Sequence, residues 1–455
     1  MYVTEPARRI AVQGEYDVVV LGGGPAGLLA ATCAARNGAS VLLIERYGFL
    51  GGMGTAAGVS NFCGLHANIH GEIKQVVHGT ADDLLDRMRA LDGLNEPHLI
   101  LGKIHAQAYD ISAFKLAADG LLHDSGAQVL FHALASSMTV NDDGQVDAVI
   151  VETKSGPRAV RGRVFIDCSG DADLARWAGL DFEKGDAQGR MLYPTLMFKV
   201  GNVDGARAQD AWKSIPLLMD QAEASGEFRF PRRGAIVRPQ KHDYEWRVNV
   251  TQLSDADGSA ADGTDAGSLS AGEMEGRRQI VEYLRFLRAK VPGFEHAYVL
   301  DIAPQLGIRE TRRVVAEYML TQEDVLGCAD FEDSIGVNGW PLEIHMAGDV
   351  KWVWPPIPES RGYNQLPFRM IVPRRGAGRP GNILVAGRCA GMTHEGQSAA
   401  RVSGSCFVMG EAAGTAAAMA LARGTMPAEL PVRDLQRQLR AQGVFLAEQQ
   451  RAEIA

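Results

Sequence analysis

The chain has 455 residues, of which 46% are hydrophobic and 22% charged, with a formal net charge of -9 at pH 7. Such a length fits about two to three domains at roughly 150 residues each, with ordinary globular composition. The acidic balance argues against nucleic acid or an anionic membrane as the main partner, and short basic pieces such as 373–380 read as surface loops.

In chain order, Tyr16–Leu21 is a β-branched run expected to form a buried parallel strand. A helix of small residues follows over Pro25–Asn37, closed by Gly38, and then a second buried strand over Ser40–Ile44. Together they make a βαβ unit. Residues 51–71 are glycine-rich and irregular. Amphipathic helices are expected over 81–91 and 108–126, and a strand meander over 127–140, 148–153 and 159–170. Residues 185–365 change texture, with more Trp, Pro, Tyr and charge; 246–253 reads as a strand, 254–268 as a solvated loop and 271–290 as a helix. A buried strand returns at 381–388, followed by one long small-residue helix from Ser398. No internal repeat is visible.

Six cysteines, Cys33, Cys63, Cys168, Cys328, Cys389 and Cys406, form no C-x-x-C pair and read as reduced thiols. The N-terminus has no long apolar stretch, and no uncharged apolar run reaches the ~18 residues of a membrane span. A cytoplasmic location is expected, and a homo-oligomer stays open.

Gly22, Gly24 and Gly27 fit G-x-G-x-x-G. The first allows a tight turn, the second a close approach of pyrophosphate, and the third close helix–strand packing. The helix N-terminus beyond them favours phosphate. Glu45, at the end of the next strand, can accept hydrogen bonds from a ribose diol. The pattern predicts dinucleotide binding. A second glycine-rich turn, "GFLGGMGT" over 48–55, and a C-terminal strand–loop–helix favour FAD over NAD.

On these pieces, together with "FIDCSGDADLARWAG", "QLGIRETRRVVAEYMLT", "FEDSIGVNGWPLEIH" and "NILVAGRCAGMTHEGQSAARVSG", the chain resembles bacterial FAD-dependent oxidoreductases of the glutathione-reductase-like flavoprotein superfamily. The resemblance implies an α/β fold: a discontinuous Rossmann-like FAD-binding domain (14–66, 105–184 and 366–455) with an inserted α+β substrate domain (185–365) and a bridging segment (67–104). It implies that Gly22, Gly24, Pro25, Ala26 and Gly27 hold the pyrophosphate, and that Glu45 and Arg46 hold the adenosine. Gly52, Met53 and Thr55 would run along the ribityl and flavin, and Gly170 and Asp171 would close the diphosphate side. Gly387 and Arg388 would meet the ribityl phosphate. Ser398, Ala399 and Val402 would start a helix aimed at the flavin pyrimidine ring, where a helix N-terminus stabilises the negative charge of reduced flavin.

No C-x4-C follows Gly52, which disfavours a disulfide reductase, and no second G-x-G-x-x-G offers a stable NAD(P)H site. The Gly-Asp pair of aromatic-ring monooxygenases is replaced by Gly387-Arg388. The expected function is hydride transfer between a small organic substrate and flavin N5, with an unidentified electron acceptor or donor. The alternatives are an NAD(P)H- and oxygen-using monooxygenase, or a flavoprotein subunit of an electron-transfer assembly; no iron–sulfur cysteine pattern supports the latter.

His394 and His66 are the candidates for proton transfer, and Arg309 for a substrate carboxylate or the flavin edge. Glu395 is a weaker candidate. Arg312 and Arg313 read as interdomain ion-pair formers. Trp340, His345 and Tyr363 read as walls of the site, and Asp301 and Asp333 as solvated or bridged. Cys63, His66 and His70 have loose metal-ligand spacing without a fourth ligand, so no metal is expected.

Overall fold

The computed structural model describes residues 2–4, 6–376 and 378–447. Its main sheet is built on Val12–Leu21, which pairs in parallel with Val41–Ile44 on one side and with Gly156–Asp167 on the other. Gln128–Leu130 extends the sheet beyond Val41–Ile44, also in parallel. Strand Gly156–Asp167 is 12 residues long and shares one edge between two partners. Its first half pairs antiparallel with Val146–Thr153, and its last residues pair in parallel with Ile383–Val385. Leu134–Val140 completes the meander. Val18, Val19, Val20, Leu43 and Ile44 are almost fully buried, as a parallel sheet covered on both faces requires.

The span 127–140 is therefore two strands. Gln128–Leu130 joins the parallel part of the sheet, and the chain turns before Leu134–Val140 enters the meander. Likewise, the expected single C-terminal helix is two, His394–Ala400 and Ser403–Arg423, broken at the extended Val402 (φ -73°, ψ 164°). The second helix packs along Pro25–Arg36 by glycine contact. A Cβ on Gly410 would lie 2.1 Å from the Ala26 carbonyl oxygen, and one on Gly414 would lie 2.1 Å from that of Ala30. Ser403–Arg423 is long and apolar enough to cross a membrane by length and composition, although Glu411 interrupts it; 83% of its most apolar window is buried inside the molecule.

A second core is built on an antiparallel sheet ordered Ile236–Pro239, Trp246–Asn249, Phe198–Gly201, Tyr298–Ile302. It is covered by helices Ala211–Ala224 and Ala266–Lys290. Its buried apolar residues run from Leu196 to Ile308. Within the span 185–365 expected for the insertion, the C-terminal part packs differently. Val314, Leu320, Ile335, Val337, Leu342 and Leu366 pack in the first core, because the chain crosses back to the sheet soon after Ile308.

Candidate active site

A cleft enclosing about 1890 Å³, open solvent at its mouth included, runs between the two cores. One end is a glycine cradle at the C-terminal edge of the parallel strands, where ligands of such sheets collect. Gly22 (φ +96°) turns the chain after Val12–Leu21, and a Cβ there would lie 2.5 Å from the Cys168 carbonyl oxygen. A Cβ on Gly27 would lie 1.8 Å from the Gly22 carbonyl oxygen, so this glycine closes helix onto turn and does not itself line the cleft. Gly24 caps Pro25–Arg36 without any side-chain hydrogen bond, leaving the first-turn N–H groups for a ligand. Gly22, Gly24, Pro25, Ala26, Glu45, Arg46, Gly52, Met53, Gly170, Gly387 and Arg388 all line this cleft.

Glu45 organises the turn. Its carboxylate accepts from the Gly23 N–H at 2.7 Å and the Tyr47 N–H at 2.9 Å, tying the glycine turn to the strand end. Burial raises its pKa from the ordinary value, and those two N–H donors oppose the rise. At the far side of the cradle, the Arg388 guanidinium lies over Gly170, where a Cβ would come within 2.7 Å of Nη2. A second helix opens on the cleft: Ser403–Arg423 starts at Val402, again without a side-chain cap, and both Val402 and Ser403 line the cavity. Two helix N-termini without side-chain caps on one cleft, with glycines where backbone must be approached, fit a dinucleotide with an electron-rich head group.

The part of the cleft beyond Ser403, the chamber, is walled in part by strands of the second core. Trp246–Asn249 and Ile236–Pro239 alternate, and the cleft-lining residues are Arg247, Asn249, Ile236 and Arg238. Strand Leu342–Met346 alternates as well, and presents Glu343 and His345. His345 Nε2 is 3.0 Å from Glu343 Oε1, and Trp340 Nε1–H donates to Glu343 Oε2 at 3.0 Å. Burial alone would raise the Glu343 carboxyl, but the hydrogen bonds from His345 and Trp340 and the charges around it, Arg401 among them, outweigh it and lower its pKa. Burial and the Arg309 charge push His345 well below its ordinary value, against the pull of Glu343. The imidazole is accordingly neutral. A carboxylate only accepts, so Nε2 carries the proton and Nδ1 keeps a lone pair. That Nδ1 has no hydrogen-bond partner among the described residues.

Several expected site residues stand elsewhere. His394 does not line the cleft; its Nδ1 lies 2.8 Å from the fully buried Glu310, which also pairs with Arg313. His66 sits on strand His66–Ile69, its ring 5.5 Å from that of His105 and outside the cleft; burial lowers its pKa to about 4. Thr55 turns its hydroxyl back to the Leu50 carbonyl oxygen at 2.8 Å and braces the loop. Asp171 also lies behind the wall, where it pairs with Arg388 at 3.0 Å and accepts from Thr311 Oγ1 at 2.7 Å. Ser398 and Ala399 are buried in the short helix before Val402, so only Val402 of that trio lines the cleft. Arg309 lines the chamber and donates through Nη1 to the Tyr193 carbonyl oxygen at 2.6 Å and Thr195 Oγ1 at 2.7 Å. Arg312 pairs with Asp173 and Arg313 with Glu310. Trp340 is a wall of the chamber, whereas Tyr363 packs against Phe445. Among the described residues no three His, Cys, Asp or Glu side chains converge as a metal site. Sequence reading missed Glu343, Arg238, Arg247 and Arg401 and gave His345 only a wall role; the alternation in "WRVNV" and "LEIHM" was the available signal.

Among curated relatives, the chain is 28% identical over 181 residues to a digeranylgeranylglycerophospholipid reductase of Methanocella arvoryzae, covering 37% of this chain and 43% of that protein. It is 30% identical over 168 residues to a thiamine thiazole synthase of Methanococcus vannielii, covering 34% of this chain and 56% of that protein. The matches thus span about half the length of those relatives. A solved geranylgeranyl bacteriochlorophyll reductase-like protein of Thermoplasma acidophilum aligns over 94% of this chain and 84% of its own, with a TM-score of 0.47 and 14% identity. The sequence model of the FAD dependent oxidoreductase family matches residues 17–439, nearly the whole chain, and this protein therefore belongs to that family, with FAD the cofactor its glycine cradle fits.

Proposed function

We propose that the protein transfers a hydride between a carbon of a small organic substrate and N5 of FAD, with His345 handling the accompanying proton. The flavin, when bound, supplies the two-electron acceptor or donor. The observation that carries this reading is the His345–Glu343 pair in the chamber beyond the Val402–Ser403 helix start. In the oxidising direction, the substrate C–H bond breaks with its electron pair, the neighbouring O–H or N–H gives its proton to His345 Nδ1, and a C=O or C=N bond forms. Glu343 holds the imidazole in the tautomer that leaves Nδ1 free and stabilises the imidazolium once formed. Trp340 fixes Glu343 in turn. In the reducing direction the same atoms return the proton.

The Leu196–Ile308 layer supplies substrate-facing side chains, so we read it as the substrate domain. We also assign the chain to the glutathione-reductase-like superfamily, on the support of the Gly22–Gly27 turn, Glu45 and the Ser403 helix start. A reducing, cytoplasmic setting is part of this reading, supported by six cysteines that are all free thiols.

The test is an anaerobic visible spectrum of the FAD-loaded protein during addition of alcohols, amines and enoates, with NADH and NADPH in parallel. Bleaching by an alcohol or amine is expected, and His345→Asn should slow it about 10²- to 10⁴-fold without loss of bound FAD. Because His345 titrates below its ordinary 6.5, the wild-type rate should hold as pH falls through that value. An unchanged rate in His345→Asn sinks the assignment of the proton acceptor. Bleaching by NAD(P)H alone, with oxygen uptake and an oxygenated product, moves the protein to the monooxygenases.

A further inference from the structure

We propose that the chamber selects substrates bearing a carboxylate, with Arg247 as its main anchor; this rests on the chamber being the substrate site proposed above. Arg238, Arg247, Arg309 and Arg401 line it, and the Glu343 carboxylate acts on Arg247, Arg309 and Arg401. Arg238 and Arg247 stand directly opposite each other on paired antiparallel strands. Like charges in that position repel, and burial together with Arg247 lowers the Arg238 pKa to about 10.

Arg247 is 6% exposed, and its side chain has no hydrogen-bond or ion-pair partner among the described residues; its Nε is buried and unsatisfied. Arg401 Nε is buried and unsatisfied as well. Arg309 is held by neutral oxygens alone. Arg238 Nη1 donates to the Val237 carbonyl oxygen and its guanidinium lies over Trp212, and Arg401 Nη2 reaches the Glu343 carbonyl oxygen at 3.5 Å. A guanidinium taken out of water without an anion is costly, so Arg247 in particular, partnerless among the described residues, calls for an added anion. The cofactor phosphates have their own cradle at Gly22–Gly27 and Gly387. A planar carboxylate matches the two-pronged donor edge of arginine. Trp340 and Trp352, with ring centroids 5.9 Å apart, wall the same chamber and fit an apolar substrate body.

The test measures binding without turnover. Benzoate, phenylacetate and octanoate are titrated calorimetrically into the FAD-loaded protein beside benzamide, phenylacetamide, octanamide and phenyl phosphate. At least one carboxylate should bind saturably and about tenfold or more tighter than its amide. Arg247→Gln should erase that preference, Arg247→Lys should keep part of it, and bound FAD should be unchanged in both. Equal affinity for acid and amide in the wild type overturns the proposal whether or not the variants fold. So does the absence of saturable carboxylate binding, tighter binding of phenyl phosphate, or a preference that survives Arg247→Gln. A carboxylate that binds while no compound bleaches the flavin keeps this inference and sinks the hydride-transfer reading. A flavin bleached by neutral alcohols alone does the reverse.

Discussion

Glu411 sits midway along the Ser403–Arg423 helix, 2% exposed, with no cation paired to it among the described residues. Its oxygens accept from the Thr80 N–H at 3.1 Å and Thr80 Oγ1 at 3.0 Å, so it anchors the N-terminus of helix Thr80–Ala90. Burial pushes its pKa up to about 7, against those two hydrogen bonds. A raised folded-state pKa means stability that is full below the unfolded value near 4.5 and is lost as pH rises through about 7. The loss is on the order of 3 kcal/mol as an upper bound. Glu411→Gln should flatten that part of the curve, and melting temperatures at pH 5 and pH 8 check it: an equal fall in both proteins would acquit Glu411. The sequence displays a lone acid in an apolar helix, but Thr80 lies 331 positions away, and no local pattern announces it. Histidines show the same limit. His394 stands beside the expected helix start, yet turns to Glu310, whereas His345 reaches the chamber because its strand presents alternate residues there.

Elements were legible where periodicity is strong and neighbours matter little. The first strand, the Pro25 helix and the second strand were read to within a few residues, since an apolar run, a glycine turn and a small-residue helix leave few alternatives. The break at Val402 was not legible, because nothing local forbids helix there. It follows from wedging the next helix start against another loop: a Cβ on Gly404 would lie 2.2 Å from the Gly64 carbonyl oxygen. That helix then runs along Pro25–Arg36 on bare glycines. Gly414→Val should destabilise the protein by about 1–3 kcal/mol, since the added carbons meet backbone that must shift. Both helices begin at the cofactor cleft, so the variant should also release FAD faster, read as flavin retained after gel filtration. A melting temperature and flavin content equal to wild type would mean that the two helices part without cost.

At the scale of the whole molecule, the cleft lies between two separate apolar cores, and its walls combine apolar side chains with glycine backbone and a few charged groups. FAD that binds the folded chain alone should raise stability as free FAD rises, by about 2.7 kcal/mol at a hundredfold excess over Kd. Scanning calorimetry at several FAD concentrations reads this directly. A midpoint indifferent to FAD would mean that the folded chain does not bind it. The sequence by itself determined the nucleotide-binding half: the G-x-G-x-x-G turn, Glu45 and the flanking strands are local in the chain, and their chemistry depends on spacing alone. Only the tertiary structure decided the chamber proposed for the substrate. Arg247, Glu343, His345 and Arg401 come from three separate segments, each unremarkable in isolation, and whether a polar strand face meets water or a cavity depends on what packs opposite it.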